Sequence, residues 1–152
     1  MKENEKGSSN PVPNMIIGID PDLTASGLAM GLNGKVIAVG CYSFHELRDF
    51  FENNRQYIKK VYLEASWLIK KTSWHGSANK ATAEKTAYHV GSNHAVGKLI
   101  EECLQALGIT YVLIKPFATK KKKEEFCRMT GWKGAATNQE ERDAVMLIHG
   151  HY

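Results

Sequence analysis

Four acidic residues stand where their carboxylates could meet at one point. Asp20 ends the apolar run MIIGID, and Glu64 ends the similar run VYLE. Glu140 and Asp143 lie three residues apart in a segment of helical character, so they share a helix face with Cβ atoms roughly 5–6 Å apart. If the two runs form neighbouring strands and the helix packs over their ends, all four acids converge.

A converging group of carboxylates is suited to binding cations. Like charges at such short range cannot all stay ionised without a counter-ion. Several hard oxygen ligands favour Mg²⁺ or Mn²⁺. Two such ions, roughly 3.5–4 Å apart, would activate a water and stabilise the leaving oxygen in phosphodiester hydrolysis. We therefore predict a two-metal site whose catalytic and metal-binding residues are Asp20, Glu64, Glu140 and Asp143.

Each acid also has a plainer interpretation. Asp20 could cap the turn after its strand, and Glu64 could simply emerge into solvent. Acids suit the first turn of a helix, which accounts for Glu140 as well. Asn138 and Glu141 form a capping-box pattern. That pattern explains Glu141, which we leave out of the site. Glu140 lies on the same helix face as Asp143 and is retained as a site residue.

The net charge of +4 is unevenly placed along the chain. Any one lysine run is explained by a solvated surface, but lysines beside an acidic metal-type cluster favour a bound polyanion. Trp67 follows Glu64 closely in polar surroundings, so we predict that it stacks on a nucleic-acid base, with a core tryptophan as the alternative. Predicted phosphate contacts are Lys70, Lys71, Lys120, Lys121 and Lys123.

Length and composition favour one domain over residues 15–152, preceded by a disordered, polar leader over residues 1–14. No apolar run is long enough to span a membrane, and the first residues lack the apolar segment of a signal peptide. The 3 cysteines are widely separated, which disfavours a zinc site or a disulfide framework. A reduced cytoplasmic setting is expected.

The periodicity of the chain predicts five strands and four helices. Asn33-Gly34 predicts a hairpin turn, and Gly108 is suited to end the long helix. Thr119 is a candidate N-cap. Three consecutive antiparallel strands, followed by strands that are connected through helices, imply a mixed sheet with helices on both faces. The predicted strands are Met15–Asp20, Ser26–Gly31, Lys35–Tyr42, Lys60–Glu64 and Ile109–Ile114, and the predicted helices are Phe44–Tyr57, 81–107, 119–129 and 139–148.

Several short motifs occur in a characteristic order. Gly18-Ile19-Asp20-Pro21 is followed by Ser26-Gly27, then by Leu63-Glu64 and finally by Glu140-x-x-Asp143-Ala144. Together they resemble the RuvC-like Holliday junction resolvases of the ribonuclease H-like superfamily, including compact viral or phage-type members. Gly91, Asn93 and Gly97 resemble the glycine-bearing dimer helix of that family.

Two positions depart from the family pattern. Asp22 stands where the family usually has glycine, although Asp tolerates unusual turn conformations and would add charge near the metals. Glu140 replaces an aspartate, and its longer side chain changes the spacing of the metal ligands. These differences leave the metal preference open.

The resemblance implies an α/β fold with a five-stranded sheet of order 3-2-1-4-5. It implies a crossover junction endodeoxyribonuclease that binds two Mg²⁺ or Mn²⁺ ions and nicks four-way DNA junctions in pairs, leaving 5′-phosphate and 3′-hydroxyl ends. A homodimer would present two matching sites to the two-fold symmetric junction. Lys120 and Lys123 resemble family residues that approach the backbone phosphate.

Two other functions remain open from the sequence, and a third is disfavoured. A ribonuclease H-like nuclease for other branched DNA or RNA–DNA hybrids would use the same acids. A non-catalytic junction-binding protein would carry them incidentally. Actin-like sugar kinases and chaperones share the opening motif, but they need two such domains, and this chain is too short for them.

Overall fold

The computed structural model describes residues 12–69 and 79–152, which form one five-stranded sheet in the order β3-β2-β1-β4-β5. Central strand β1 pairs antiparallel with β2 and parallel with β4. The mixed sheet and its predicted order are thus confirmed. The strands are β1 Met15–Asp20, β2 Ser26–Leu32, β3 Lys35–Tyr42, β4 Ile58–Glu64 and β5 Tyr111–Ile114.

Helices cover both faces of the sheet, as predicted. Successive side chains of β1 point to opposite faces: Ile17 and Ile19 pack in the core beneath α1 and α2, and Ile16 packs in the core beneath α3 and α4. Within residues 12–69 and 79–152, no helix has the length and apolar character needed to cross a membrane. The helices are α1 Phe44–Asn54, α2 Lys80–Ala106, α3 Lys123–Thr130 and α4 Gln139–Ile148.

The strand register brings two of the acids to one edge of the sheet. Strands β1 and β4 run parallel with Ile19 opposite Leu63, so Asp20 and Glu64 each follow at the same end of neighbouring strands. On the other side of β1, Asp20 lies opposite Gly27 of β2. This edge is where the sheet can present carboxylates side by side.

Two glycines let α4 approach the sheet at backbone contact. A Cβ atom on Gly18 would overlap the carbonyl oxygen of Ala144, and one on Gly27 would overlap that of Glu140. Only glycine permits such close packing of a helix backbone on a strand. The close packing brings the first turn of α4, with Glu140, over the end of β1.

Local turn and cap signals form as the sequence predicts. Asn33 and Gly34 both take positive φ, at 50° and 78°, in the β2–β3 hairpin. Gly108 follows α2 with φ 65°. Asn138 and Glu141 form the reciprocal capping box at the start of α4. Glu141 therefore has a structural role, in line with its exclusion from the predicted site.

Several predicted boundaries are wrong. Helix α1 ends at Asn54 rather than Tyr57, because the Tyr57 amide closes a turn onto Asn54 before β4. Strand β5 begins at Tyr111 rather than Ile109. Of the predicted leader, residues 1–11 lie outside the described residues, while Asn14 donates its amide to the Tyr57 carbonyl.

The prediction that Thr119 caps a helix is also wrong. Helix α3 begins at Lys123, with Lys122 at the N-cap. The preceding segment is held against α4 instead, since the ammonium of Lys120 binds Asp143 and the Lys121 carbonyl accepts a hydrogen bond from Arg142. These tertiary contacts outweigh the local preference for helix and lay the lysines beside the acids.

Candidate active site

The four predicted acids surround one groove at the edge of the sheet. Asp20, Glu64 and Glu140 line a pocket of about 320 Å³ together with Lys120. Glu64 and Lys120 also line an adjoining pocket of about 300 Å³, whose wall includes Asp143. Two strand ends and the first turns of α4 therefore bring together carboxylates that are up to 123 positions apart in the chain (Asp20 to Asp143).

Asp20 is the acid of the groove whose negative charge is the most disfavoured. Burial raises the pKa of Asp20 to about 8, and repulsion from Glu64, Asp143 and Glu140 adds to the rise, while Lys120 opposes it. Burial likewise raises the pKa of Glu64, with a further contribution from Asp143. In the absence of an added cation, the groove holds more carboxylate charge than its surroundings can stabilise.

Asp143 is the most firmly held of the acids. Its Oδ1 accepts a hydrogen bond of 2.6 Å from the Gln139 amide, one helical turn earlier. Its Oδ2 lies 2.8 Å from Nζ of Lys120, and only 12% of the Asp143 side chain is exposed. The carboxylate is therefore fixed in orientation, with one oxygen turned to the helix and the other to the groove.

The chemistry of this donor set fits a hard divalent cation. Four carboxylates offer oxygen ligands alone, and their mutual repulsion at Asp20 is what a bound cation would relieve. In the described parts of the chain, however, no three His, Cys, Asp or Glu side chains are arranged to hold one ion together. In this structure the Lys120 ammonium donates a hydrogen bond to Oδ2 of Asp143, the oxygen that faces the groove.

The raised pKa of Asp20 predicts that the metal-free protein loses stability as the pH rises. The folded protein keeps the Asp20 proton up to about pH 8, whereas the unfolded chain releases it near pH 4. Because the folded state binds more protons between these values, the free energy of unfolding falls across that window. Asp20→Asn removes the titration and should raise the melting temperature at pH 8 by about 5 °C or more.

Thermal unfolding in EDTA at pH 4.5 and pH 8 measures this effect. The gain of Asp20→Asn over wild type should be small at pH 4.5 and large at pH 8. Asp49→Asn removes an exposed carboxylate paired with Arg48 and serves as the control, with no gain expected at pH 8. An equal gain at both pH values would contradict a titrating Asp20.

Helix α2 forms a second wall of the groove, and hydrogen bonds join it to the loop that follows β1. Asn93 accepts a hydrogen bond of 3.0 Å from the Leu23 amide and donates one of 3.3 Å to Asp22. Asp22 also accepts from the Thr24 amide and so forms a side-chain turn without a positive φ at Asp22. Asp22 thus links the loop after Asp20 to α2.

Trp67 follows β4 in a single 3₁₀ turn, Ser66–Leu68, and packs inward. Its ring is partly buried against the core and fills the space over Gly97 of α2, where a Cβ would overlap it. The ring also lies edge-on to His94, with centroids 6.5 Å apart. The space left by the missing side chain of Gly97 is therefore filled by Trp67 of the same chain. Base stacking by Trp67 remains a prediction, in addition to this packing role.

The predicted basic residues divide into three groups. Lys120 lies in the groove, as described above. Lys121 lines the smaller pocket, but its ammonium pairs with Glu125 of α3 at 2.7 Å, while Lys123 is exposed on the first turn of that helix. Lys70 and Lys71 lie outside the described residues.

Sequence reasoning missed several residues that shape the site. Gln139 orients Asp143, and its position four residues earlier on the same helix was a usable signal. Val90 and His94 line the groove from α2, next to Asn93. No local pattern indicates which face of α2 turns towards β1, so these residues emerge only from the packing.

Comparison with solved structures identifies the fold. The chain superposes on Thermus thermophilus RuvC in complex with a Holliday junction substrate with a TM-score of 0.56 and 15% identity, over 88% of this chain and 89% of that one. A second Thermus thermophilus RuvC structure gives a TM-score of 0.51 and 12% identity, over 88% and 90%. No family model and no curated protein sequence matches the chain.

Proposed function

We propose that this chain, which has the RuvC-like, ribonuclease H-like fold, is a metal-dependent endonuclease that resolves four-way DNA junctions by paired nicks. The observation that carries the proposal is the set of four carboxylates around one groove, in which Asp20 is too crowded and desolvated to ionise at neutral pH without a cation. A fold shared with a junction-bound protein supports the choice of substrate.

Asp20, Glu64, Glu140 and Asp143 would hold two Mg²⁺ or Mn²⁺ ions. When bound, these ions supply an activated water and charge stabilisation for the leaving 3′ oxygen. Asp20 ends the central strand, and its carboxylate is subject to the charges of all three other acids. It is therefore the residue best placed to contribute to the binding of both ions. Gln139 fixes Asp143 in the orientation needed to ligate. Because the side chains must still close on the ions, we expect small rotations of Glu64 and Glu140 on binding.

The walls of the groove are suited to a DNA strand. Lys120 stands at its centre, and Lys123 is exposed beyond it on α3. Such lysines position a phosphate backbone without reading its sequence. We propose that the strand to be cut enters between α2 and the Lys120 loop, with Lys121 and the lysines at 70 and 71 as further phosphate contacts.

We also propose that two copies act together in the cytoplasm of a bacterial or infected host cell. Most residues in the first half of α2 are exposed, and Tyr88 is 65% exposed. Among the described residues, no atom lies within 4 Å of a Cβ built on Gly91, so this part of the helix has room for a second copy. Sedimentation should show a dimer that Tyr88→Lys shifts toward monomer.

Cleavage of a synthetic immobile four-way junction tests the proposed function. The junction is incubated with Mg²⁺, Mn²⁺ or EDTA beside a matched linear duplex and an RNA–DNA hybrid. We expect symmetric paired nicks in the junction alone, lost in EDTA. Cutting of the hybrid or of other branched DNA would support a nuclease activity but assign it a different substrate. Tight junction binding without any cutting would favour a non-catalytic binding protein.

A further inference from the structure

We infer that Lys120 is a built-in counter-ion that holds the acid cluster together without metal and gives up its place when a divalent cation binds. The inference rests on the proposed function for the identity of the cation. It adds a step that the proposed mechanism lacks, namely the release of a side chain before the metal centre can form.

The first support is the position of the ammonium among the carboxylates. Nζ of Lys120 lies 2.8 Å from Oδ2 of Asp143. The same charge acts on Asp20 and Glu64, since it opposes the rise in pKa of both. Their charges in turn raise the pKa of Lys120, after the larger contribution from its hydrogen bond to Asp143. One ammonium thus serves three carboxylates.

The second support is that Lys120 belongs to both acidic pockets. Both include it in their lining, along with Glu64 and Pro116. Asp143 lines one of these pockets, and Asp20 with Glu140 lines the other. An ion shared by Asp20 and Asp143 would have to bind where the two pockets meet, and Lys120 is part of that shared lining.

The third support is that the lysine can leave at little cost. Its side chain is 69% exposed and rises from a segment without helix or strand, whereas Asp143 beneath it is 12% exposed. The ammonium brings one positive charge to the cluster, whereas a divalent cation brings two to the same oxygens, and two cations at one carboxylate oxygen repel. The metal therefore replaces the ammonium.

Metal affinity without DNA tests the inference. Mn²⁺ binding is measured by calorimetry on wild type, Lys120→Gln, Lys120→Arg and Lys121→Gln. Lys120→Gln should bind about 5–10-fold more tightly than wild type, as expected from removing one partly exposed competing ion pair. Lys120→Arg should stay near wild type. Lys121→Gln breaks a pair of similar length with Glu125 outside the cluster and should change the affinity less than about 2-fold.

Thermal stability gives a second readout. In EDTA, Lys120→Gln should melt about 3–5 °C below wild type because Asp143 loses its partner. In saturating Mg²⁺ this difference should disappear, since the ion pair is then broken in both proteins and the tighter metal binding of the variant offsets the pair that it lacks. Lys121→Gln should show no such change between the two conditions. Lys120→Met, which keeps the aliphatic part of the side chain, repeats the test if the Gln variant folds poorly.

The outcomes separate this inference from the proposed function. If wild type binds Mn²⁺ but Lys120→Gln binds no more tightly than Lys121→Gln, or stays less stable by the same amount in Mg²⁺, the counter-ion role is wrong and the nuclease proposal stands. If wild type binds neither Mn²⁺ nor Mg²⁺ in the millimolar range, the metal centre itself is contradicted.

Discussion

Asp20→Asn is expected to reduce junction cleavage by about 10²–10³-fold or more while leaving junction affinity within about 2-fold of wild type. The asparagine keeps the size and position of the side chain but removes the charge that would bridge two cations. Asp20 is not among the residues proposed to contact phosphate, so DNA binding should survive. Single-turnover cleavage and gel-shift titration on the same junction measure both quantities.

A matched pair of variants on α4 controls for effects on folding. Glu140→Gln should lose cleavage to a similar extent as Asp20→Asn. Glu141→Gln should retain it, because Glu141 serves the capping box with Asn138, and glutamine can fill that position. Equal loss in both α4 variants would point to the helix start rather than to a metal ligand. If Asp20→Asn lost binding along with cutting, Asp20 would be structural and the site assignment would fail.

Gly18→Ala and Gly27→Ala are expected to destabilise the protein by about 2–4 kcal/mol each. In each case the added methyl group overlaps a carbonyl oxygen of α4, which is backbone and cannot rotate away. Helix α4 must therefore move off the sheet. For Gly27 the displaced residue is Glu140, so cleavage should fall even where the variant remains folded.

Urea unfolding of the metal-free protein measures these losses. Gly91→Ala is the control, because a Cβ there meets no atom of residues 12–69 or 79–152 within 4 Å and alanine favours the helix, with a gain of up to about 1 kcal/mol. Gly18→Ala or Gly27→Ala variants within about 0.5 kcal/mol of wild type would show that α4 does not pack on the sheet at backbone contact.

The role of Gly97 shows where motif-based reasoning falls short. Its resemblance to a dimer-helix glycine predicted an approach by a second copy, whereas the Trp67 ring of the same chain fills that space. Both expectations follow from the absence of a Cβ. Only the packing of the 3₁₀ turn against α2 decides which neighbour uses the space.

The lysine run at 120–123 shows the same limit. Composition predicts a basic surface, and local preference predicts helix across Thr119. The structure separates the four residues, with Lys120 on Asp143, Lys121 on Glu125, Lys122 at the N-cap of α3 and Lys123 opening that helix. The non-helical start of this run is held by contacts of Lys120 and Lys121 with α4, more than 20 positions away, and no periodicity encodes such contacts.

The sequence by itself determined the features that depend on near neighbours. Alternation and apolar runs specify the strands, and Asn33-Gly34, Gly108 and the Asn138–Glu141 box specify turns and helix ends, because each acts within a few residues. Acids at the ends of two such runs, with a third and fourth on one helix face, were enough to indicate a metal-dependent site.

The tertiary structure alone decided how those elements meet. Asn93 reaches Asp22 across 71 positions, and Lys120 reaches Asp143 across 23. Gly27 is required for the fold only because the backbone of α4 packs directly against it. Such contacts arise from burying apolar faces of the whole chain against one another, and their geometry is a property of that packing. The sequence therefore predicts which acids form the candidate site, and the fold decides what surrounds them.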